Sequence, residues 1–228
     1  MSANSAQPVL VAWSGGKDAA CALEQLRGDP AWRVAGVVTT VTGDYERIAI
    51  HGVRRSLLEA QVARLGLPLY EAQIPPQATN EQYEAAFAQA LARARVDEPT
   101  LDSIAFGDLF LADVRAYREA LLARLGWRGV YPLWGENTAQ LARRIITHGY
   151  RAVLTCVDTQ QLDAEFCGRE FDAALLADLP ASCDPCGENG EFHTLIYAGP
   201  LWEEPIALAR GERVLREQRF QYIDLLEA

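Results

Sequence analysis

The stretch with the clearest capacity for chemistry is Ser14-Gly15-Gly16-Lys17-Asp18, which follows an apolar run and opens a helix-like segment. Adjacent glycines let a backbone approach an anion and turn its amides inward. The N-terminus of the following helix adds unpaired amides and a partial positive charge, and Lys17 adds a full one. Asp18 would repel a bare phosphate, so we expect a Mg²⁺ ion between them. The residue types therefore predict a cradle for a polyphosphate and its metal.

Two common phosphate-binding motifs do not fit this stretch. A P-loop requires its first glycine where the chain has Val11, and it places Ser or Thr after the lysine, where the chain has Asp18. The dinucleotide fingerprint G-x-G-x-x-G does not match either. The plain structural alternative is a tight turn whose glycines serve geometry alone, but the Ser, Lys and Asp around them favour phosphate binding.

A second polar cluster lies in Ser182–Trp202, a segment punctuated by glycines. So many hydrogen-bonding and titratable side chains are poor material for a core. They suit recognition of a polar substrate and proton transfer. The members of the cluster are Asp184, Glu188, Asn189, Glu191, His193 and Thr194.

Strand-like and helix-like segments alternate from residue 9 to about residue 128. This order predicts an α/β fold, a parallel sheet with helices on both faces, whose ligands bind beyond the carboxyl ends of the strands. Asp108 follows a short strand at that edge. The pattern then loosens, so we predict one domain at 1–128 and a smaller α+β domain at 129–228. Two local predictions are Asp113 as a helix N-cap and one closing strand over 213–225.

Composition narrows the classes of partner. The chain has 228 residues and a formal net charge of -10 without a basic run, which argues against nucleic acid. No apolar stretch approaches the ~20 residues of a membrane helix, and the N-terminus does not resemble a signal peptide. The five scattered cysteines do not suggest a disulfide scaffold. We therefore expect a cytoplasmic protein with no membrane partner; a homo-oligomer stays open.

The Ser-Gly-Gly-Lys-Asp stretch resembles the PP-loop of ATP pyrophosphatases, which cleave ATP between the α and β phosphates. Their usual motif ends in Ser or Thr, where this chain has Ala19. Together with the later G-E-x-G-E-F-H-T, the chain closely resembles the diphthine–ammonia ligase family. The resemblance covers nearly the whole chain in order, including His51-Gly52-Val53-Arg54, Gly107-Asp108-Leu109 and Pro132-Leu133-Trp134.

That resemblance implies an adenine-nucleotide α-hydrolase-like, Rossmann-like fold and an AMP-producing ligase. A carboxylate substrate would be adenylated by ATP, and ammonia would then displace AMP and leave an amide. Nucleotide contacts are expected at the PP-loop, with Asp18 holding Mg²⁺, and at His51, Gly107 and Asp108. Catalytic roles fall to Lys17, Asp108, Glu188, Glu191 and His193. The acid substrate is assigned to Arg115, Arg118, Asn189 and Thr194.

Several alternatives remain at this stage. His51 could be a loop residue, and Arg115 and Arg118 could be ordinary surface charges. Cys183 and Cys186 could bind zinc with His193 and Cys167. The acid could be the modified histidine of a protein or a small metabolite. The chain could also be an ATP-binding regulator without chemistry, a reading that Ala19 favours and the polar cluster opposes.

Overall fold

The computed structural model describes residues 6–43, 47–48 and 52–228, which form two sheets. The first sheet has six strands, of which only β3 runs antiparallel to its neighbour. The parallel strands lie in the order β4-β2-β1-β5-β6, so the chain reverses direction across the sheet at β1 and β5. The strands are β1 (Gln7–Ala12), β2 (Trp32–Thr42), β3 (Arg47–Ile48), β4 (Leu69–Ile74), β5 (Ser103–Ala105) and β6 (Arg128–Val130).

Helices cover both faces of this sheet because its strands are apolar on both sides. Val9 and Val11 belong to one buried cluster, whereas Leu10 between them belongs to another. Alternate side chains of a strand point to opposite faces, so both faces need a covering layer. The helices are α1 (Lys17–Gly28), α2 (Arg55–Leu65), α3 (Asn80–Asp97) and α4 (Ala112–Leu125). The predicted α/β class is confirmed.

The second sheet is smaller and entirely antiparallel, in the order β8-β7-β10-β9. Its side chains share one continuous buried cluster with α1 and α2, so the two sheets pack against each other. The elements after β6 are α5 (Thr138–Thr147), β7 (Arg151–Asp158), α6 (Ala173–Asp178), β8 (Phe192–Ala198), β9 (Leu208–Arg216) and β10 (Phe220–Glu227). The division near residue 128 stays a prediction; β6 carries the first sheet on to Val130.

Two local predictions were wrong. The closing segment is not one strand but the hairpin β9–β10, because the chain reverses at Glu217 and Gln218, each with φ of 51°. Neither residue is a glycine or an asparagine, so the sequence carried no turn signal. Asp113 lies in the first turn of α4, and the N-cap is Leu111, whose side chain makes no cap hydrogen bond.

Among the described residues, no helix combines the length and apolar character that crossing a bilayer requires.

The strained hairpin turn gives a stability prediction. Gln218→Gly should raise the free energy of unfolding by about 0.5–1 kcal/mol, because glycine adopts a left-handed φ without a Cβ clash. Urea denaturation measures the change. The matched control is Gln221→Gly in β10, where the extended backbone gains nothing from glycine and stability should fall. A less stable Gln218→Gly variant would contradict the assigned turn.

Candidate active site

A cleft of about 1040 Å³ lies at the carboxyl ends of β1 and β5, where the strand order reverses. Its volume is at the upper end of the range for small-molecule sites, which leaves room for more than one reactant. The loop after β1 and the first turn of α1 form its floor. The second sheet closes the opposite side with β8, the loop before it and the hairpin.

The loop after β1 has the geometry that its glycines predict. Gly15 has a left-handed φ of 79°, and Gly16 is the extended N-cap of α1. The Ser14 hydroxyl accepts a hydrogen bond from the Gly16 amide at 3.3 Å. A Cβ on Gly16 would lie 3.1 Å from the Thr194 carbonyl oxygen, so the second sheet packs directly on the loop.

Gln61 on α2 holds this loop from behind, and sequence reasoning missed it. Its side chain is fully buried and donates to the carbonyls of Gly15 at 3.0 Å and Ile196 at 2.7 Å. Its Oε1 accepts from the Trp13 indole at 3.0 Å. A buried amide whose nitrogen makes two hydrogen bonds and whose oxygen accepts one gives a rigid attachment. The only signal in the sequence was a glutamine on the apolar side of an amphipathic helix.

Backbone contacts join β8 to the same loop. The Ile196 amide donates to the Gly15 carbonyl at 2.9 Å, and the Lys17 amide donates to the Thr194 hydroxyl at 3.2 Å. The two sheets therefore meet at the loop Ser14–Asp18. A displacement of the second sheet would change the geometry of the loop.

Lys17 is buried, with 2% of its surface exposed. Its ammonium donates to Asp18 at 2.8 Å and to the Cys186 carbonyl, and it lies 5.5 Å and 5.4 Å from the ring centroids of Phe171 and Phe192. Burial alone would lower the pKa of Lys17, but the charges of Asp18 and its other neighbours outweigh it and raise the pKa. The side chain is therefore a fixed cation at the mouth of the loop.

Asp18 fits the metal role predicted from sequence. Oδ2 accepts from Lys17, whereas Oδ1 is buried without a hydrogen-bond partner among the described residues. Burial raises the pKa of this carboxyl, and Lys17 opposes the shift. An unsatisfied carboxylate oxygen beside a loop predicted to bind phosphate suits Mg²⁺, which usually takes one or two protein carboxylates plus phosphate oxygens and water.

Gly107 and Asp108 lie where predicted, after β5 and beside the start of α1. A Cβ on Gly107 would lie 2.8 Å from the Asp18 carbonyl carbon, so only glycine permits this approach. Asp108 forms a two-contact ion pair with Arg118, at 2.7 Å and 3.2 Å. The Arg118 guanidinium stacks 4.3 Å from the centroid of Phe106, and both members of the pair line the cleft.

Arg115 is not brought to the cleft. Its Nε donates to Glu119 at 2.7 Å on the same helix. Its guanidinium stacks over Tyr131 at 4.4 Å and Trp134 at 4.6 Å. The structure therefore separates it from Arg118, although the two are three residues apart. His51 lies outside the described residues.

Glu188 reaches across the cleft and bonds to the loop that follows β5. Its Oε1 accepts from the Leu109 amide at 2.7 Å and from the Phe110 amide at 3.4 Å. Burial, opposed by the Leu109 bond and reinforced by Asp18, raises the pKa of Glu188 to about 7. This carboxyl can therefore exchange a proton near neutral pH.

Glu191 and Asn189 shape the loop rather than line the cleft. Glu191 is 1% exposed, and its Oε1 accepts from the Asp184 amide at 2.8 Å and the Asn189 side chain at 3.0 Å. Asp184 in turn accepts from the Cys186 amide at 2.8 Å. These bonds fold the loop so that Glu188 and the Cys186 carbonyl face Lys17.

The thiols do not support the zinc alternative. Cys167, Cys183 and Cys186 are buried and free, and each Sγ contacts a backbone carbonyl. Burial raises the pKa of all three thiols, as expected for cysteine side chains packed in a core. Within the described ranges, no group of three or more His, Cys, Asp or Glu side chains is arranged to hold a metal.

The hairpin β9–β10 forms a cleft wall that sequence reasoning also missed. Asp224 accepts from Arg54 at 2.9 Å and 2.7 Å, and Tyr222 packs on Gly52, which ties the hairpin to the segment before α2. Alternate residues of each strand face the cleft, as expected for one face of a ribbon. They are Glu212, Val214 and Arg216 on β9 and Phe220, Tyr222 and Asp224 on β10; Ile223 also lines the cleft.

His193 lines the cleft on β8, and burial together with Lys17 lowers its pKa to about 4. The folded state therefore keeps it neutral, whereas the unfolded chain takes up a proton below pH ~6.5. Because only the unfolded chain binds this proton, the free energy of unfolding decreases as pH falls from about 6.5 to about 4.

His193→Gln should remove this pH dependence. Between pH 7 and pH 4.5, the parent should lose roughly 2 kcal/mol more stability than the variant. Urea denaturation at several pH values measures the slopes, and His148→Gln is the matched control for loss of an exposed histidine. Equal slopes in the parent and His193→Gln would contradict a depressed pKa.

Comparison with known proteins identifies relatives of both parts of the chain. Residues 7–129 match the model of the diphthamide synthase N-terminal domain, and residues 137–225 match the C-terminal domain. A diphthine–ammonia ligase of Schizosaccharomyces pombe is 26% identical over 65% of this chain. The chain spans 27% of that protein's length.

A solved structure, titled as a predicted subunit of tRNA methyltransferase from Methanocaldococcus jannaschii, has a TM-score of 0.43 and 15% identity. The match covers 86% of this chain and 99% of that one, but such a score carries no argument about fold or function. The two family models lie in order and together cover most of the chain. By these matches, the chain belongs to the diphthamide synthase family.

Proposed function

We propose that this protein is an ATP-dependent amide-forming ligase that produces AMP and pyrophosphate. The observation that carries the proposal is a glycine loop at the strand-order reversal, with the fixed cation Lys17, that opens into a cleft where Glu188 can exchange a proton near neutral pH. Membership of the diphthamide synthase family supports an activity of this kind. The acid could be a modified protein histidine or a small carboxylate.

The proposed reaction has two steps, each of which needs positioning more than covalent help from the protein. A carboxylate oxygen of the acid attacks the α-phosphorus of ATP, and the bond to pyrophosphate breaks. Ammonia then attacks the acyl carbon, the carbon–oxygen bond to AMP breaks, and an amide remains. Adenylation is required because a carboxylate is a poor acyl donor. The protein would accelerate both steps chiefly by holding the reactants in line and by stabilising the charge on the phosphates.

The phosphates of ATP would lie on the loop Ser14–Asp18 and the first turn of α1. Lys17 supplies a cation there, and Asp18 would hold Mg²⁺, which supplies charge neutralisation when it is bound. The nucleoside would extend over the ends of β2 and β4, where Thr39, Ile74 and Tyr83 line the cleft. The acid would occupy the side formed by Glu188, His193 and the hairpin.

Glu188 is the residue we assign to proton transfer from the attacking nitrogen. It lines the cleft, and its pKa of about 7 lets the ionised form accept a proton at neutral pH. Glu191 lies behind the cleft wall and acts as a positioning residue. His193 is neutral, so it offers no positive charge to the phosphates, but it can accept a hydrogen bond.

The first test is a product assay with ATP, Mg²⁺, ammonium and a panel of acids, resolving AMP from ADP. AMP and pyrophosphate that depend on one acid are the expected products. ADP would refute cleavage between the α and β phosphates. ATP binding without turnover on any acid would favour the regulator alternative.

Lys17→Met should weaken ATP binding by about 100-fold, because an ammonium facing phosphate is lost and Asp18 keeps an unpaired charge. Titration calorimetry with ATP and Mg²⁺ measures the change. The matched control is Arg64→Met on α2, which removes a cation outside the cleft and should leave the affinity unaltered. Unchanged ATP affinity in Lys17→Met would remove Lys17 from the phosphate site.

Glu188→Gln keeps an oxygen that can accept from the Leu109 amide but removes the titrating group. The parent turnover should rise with pH through about 7, where Glu188 becomes the ionised base. The variant should lose at least about 100-fold in turnover, together with this pH dependence, while ATP affinity stays close to that of the parent. A variant that retains the parent pH profile would exclude Glu188 as the base.

A further inference from the structure

The Thr194 hydroxyl lies at the N-terminus of α1, although the residue belongs to the second sheet. It accepts a hydrogen bond from the Lys17 amide at 3.2 Å across a sequence separation of 177 residues. Thr194 is 2% exposed, and it lines the cleft beside Lys17 and Asp18. Its position on β8 is held by Ile196, whose amide bonds to the Gly15 carbonyl.

A hydroxyl has one hydrogen to donate and two lone pairs that accept. The Lys17 amide occupies one lone pair of Thr194, so the hydroxyl hydrogen points away from that amide. No acceptor for this hydrogen is found within the ranges that the structure describes. A buried donor without an acceptor, next to a helix N-terminus and inside a cleft, is a donor directed at a ligand.

Two amides of the loop already donate to side-chain hydroxyls. The Gly16 amide is already taken by the Ser14 hydroxyl and the Lys17 amide by Thr194, so these two amides are not available to an anion directly. The Ser14 and Thr194 hydroxyls, which accept from these amides, can each donate their own hydrogen to an anion in the cleft. Ala19, in the same first turn, also lines the cleft, and its side chain has no polar atom.

We propose that Thr194 donates its hydroxyl hydrogen to the phosphate group bound at the N-terminus of α1, and so provides from the second sheet the hydroxyl that position 19 lacks. This inference rests on the proposed function. Thr194 was predicted from the sequence to contact the acid substrate, whereas here it contacts the phosphates. Binding of the phosphates would then require both sheets in their observed arrangement.

Calorimetric titration of the full chain with inorganic pyrophosphate, ATP and adenosine, each with Mg²⁺, tests this role. Thr194→Val should weaken pyrophosphate and ATP by about tenfold or more and leave adenosine affinity within about twofold. Thr155→Val is the matched control, because it removes another buried hydroxyl of the same sheet that bonds the His193 carbonyl. If Thr194→Val does not fold, Thr194→Ala replaces it.

Rescue separates a ligand contact from a structural one. Ala19→Ser in the Thr194→Val background should recover at least about half of the lost pyrophosphate affinity on a logarithmic scale, since it restores a hydroxyl in the same turn. Unchanged pyrophosphate affinity in Thr194→Val, or an equal loss for adenosine, would overturn the inference alone. A parent chain that binds neither pyrophosphate nor ATP would overturn the inference and the proposed function together.

Discussion

The buried ammonium of Lys17 is the constraint on which the site depends. A charge with 2% exposure is tolerated only if nearby groups neutralise it and accept its hydrogen bonds. Asp18 belongs to the same helix turn, but the Cys186 carbonyl and the Phe171 and Phe192 rings come from the second half of the chain. One side chain therefore requires both halves to be in place.

The same requirement explains the small residues and the buried amide around the loop. Gly16 admits the Thr194 backbone, and Gly107 admits the start of α1, so that three segments distant in sequence approach one another. Gln61 then satisfies the loop carbonyl that faces away from the cleft. Close backbone approach and the hydrogen bonds to Gly15, Gly16 and Lys17 hold the backbone of the loop in place without a ligand.

Three carboxylates near the loop are stabilised in two different ways. Asp18 pairs with Lys17, and Asp108 pairs with Arg118. Glu188 has two backbone amides instead of a cation, and burial keeps it partly protonated near neutral pH. At the loop itself, repulsion of an anion is therefore reduced, because Asp18 and Asp108 are paired with cations and Glu188 can carry a proton.

The sequence by itself determined the alternation of strands and helices, the glycine loop at the end of β1 and the placement of Asp108 at the same edge. These follow from local periodicity and from the rule that parallel strands end together. Tertiary structure alone decided the parts that depend on long-range contacts. Gln61 holds the loop and Thr194 contacts the first turn of α1 because packing of the two sheets brings together residues that no local pattern relates. Arg115 is likewise separated from Arg118 by its contacts with Tyr131 and Trp134. The hairpin turn was hidden for a related reason, since pairing between β9 and β10 holds Glu217 and Gln218 in a backbone conformation that their residue types do not favour.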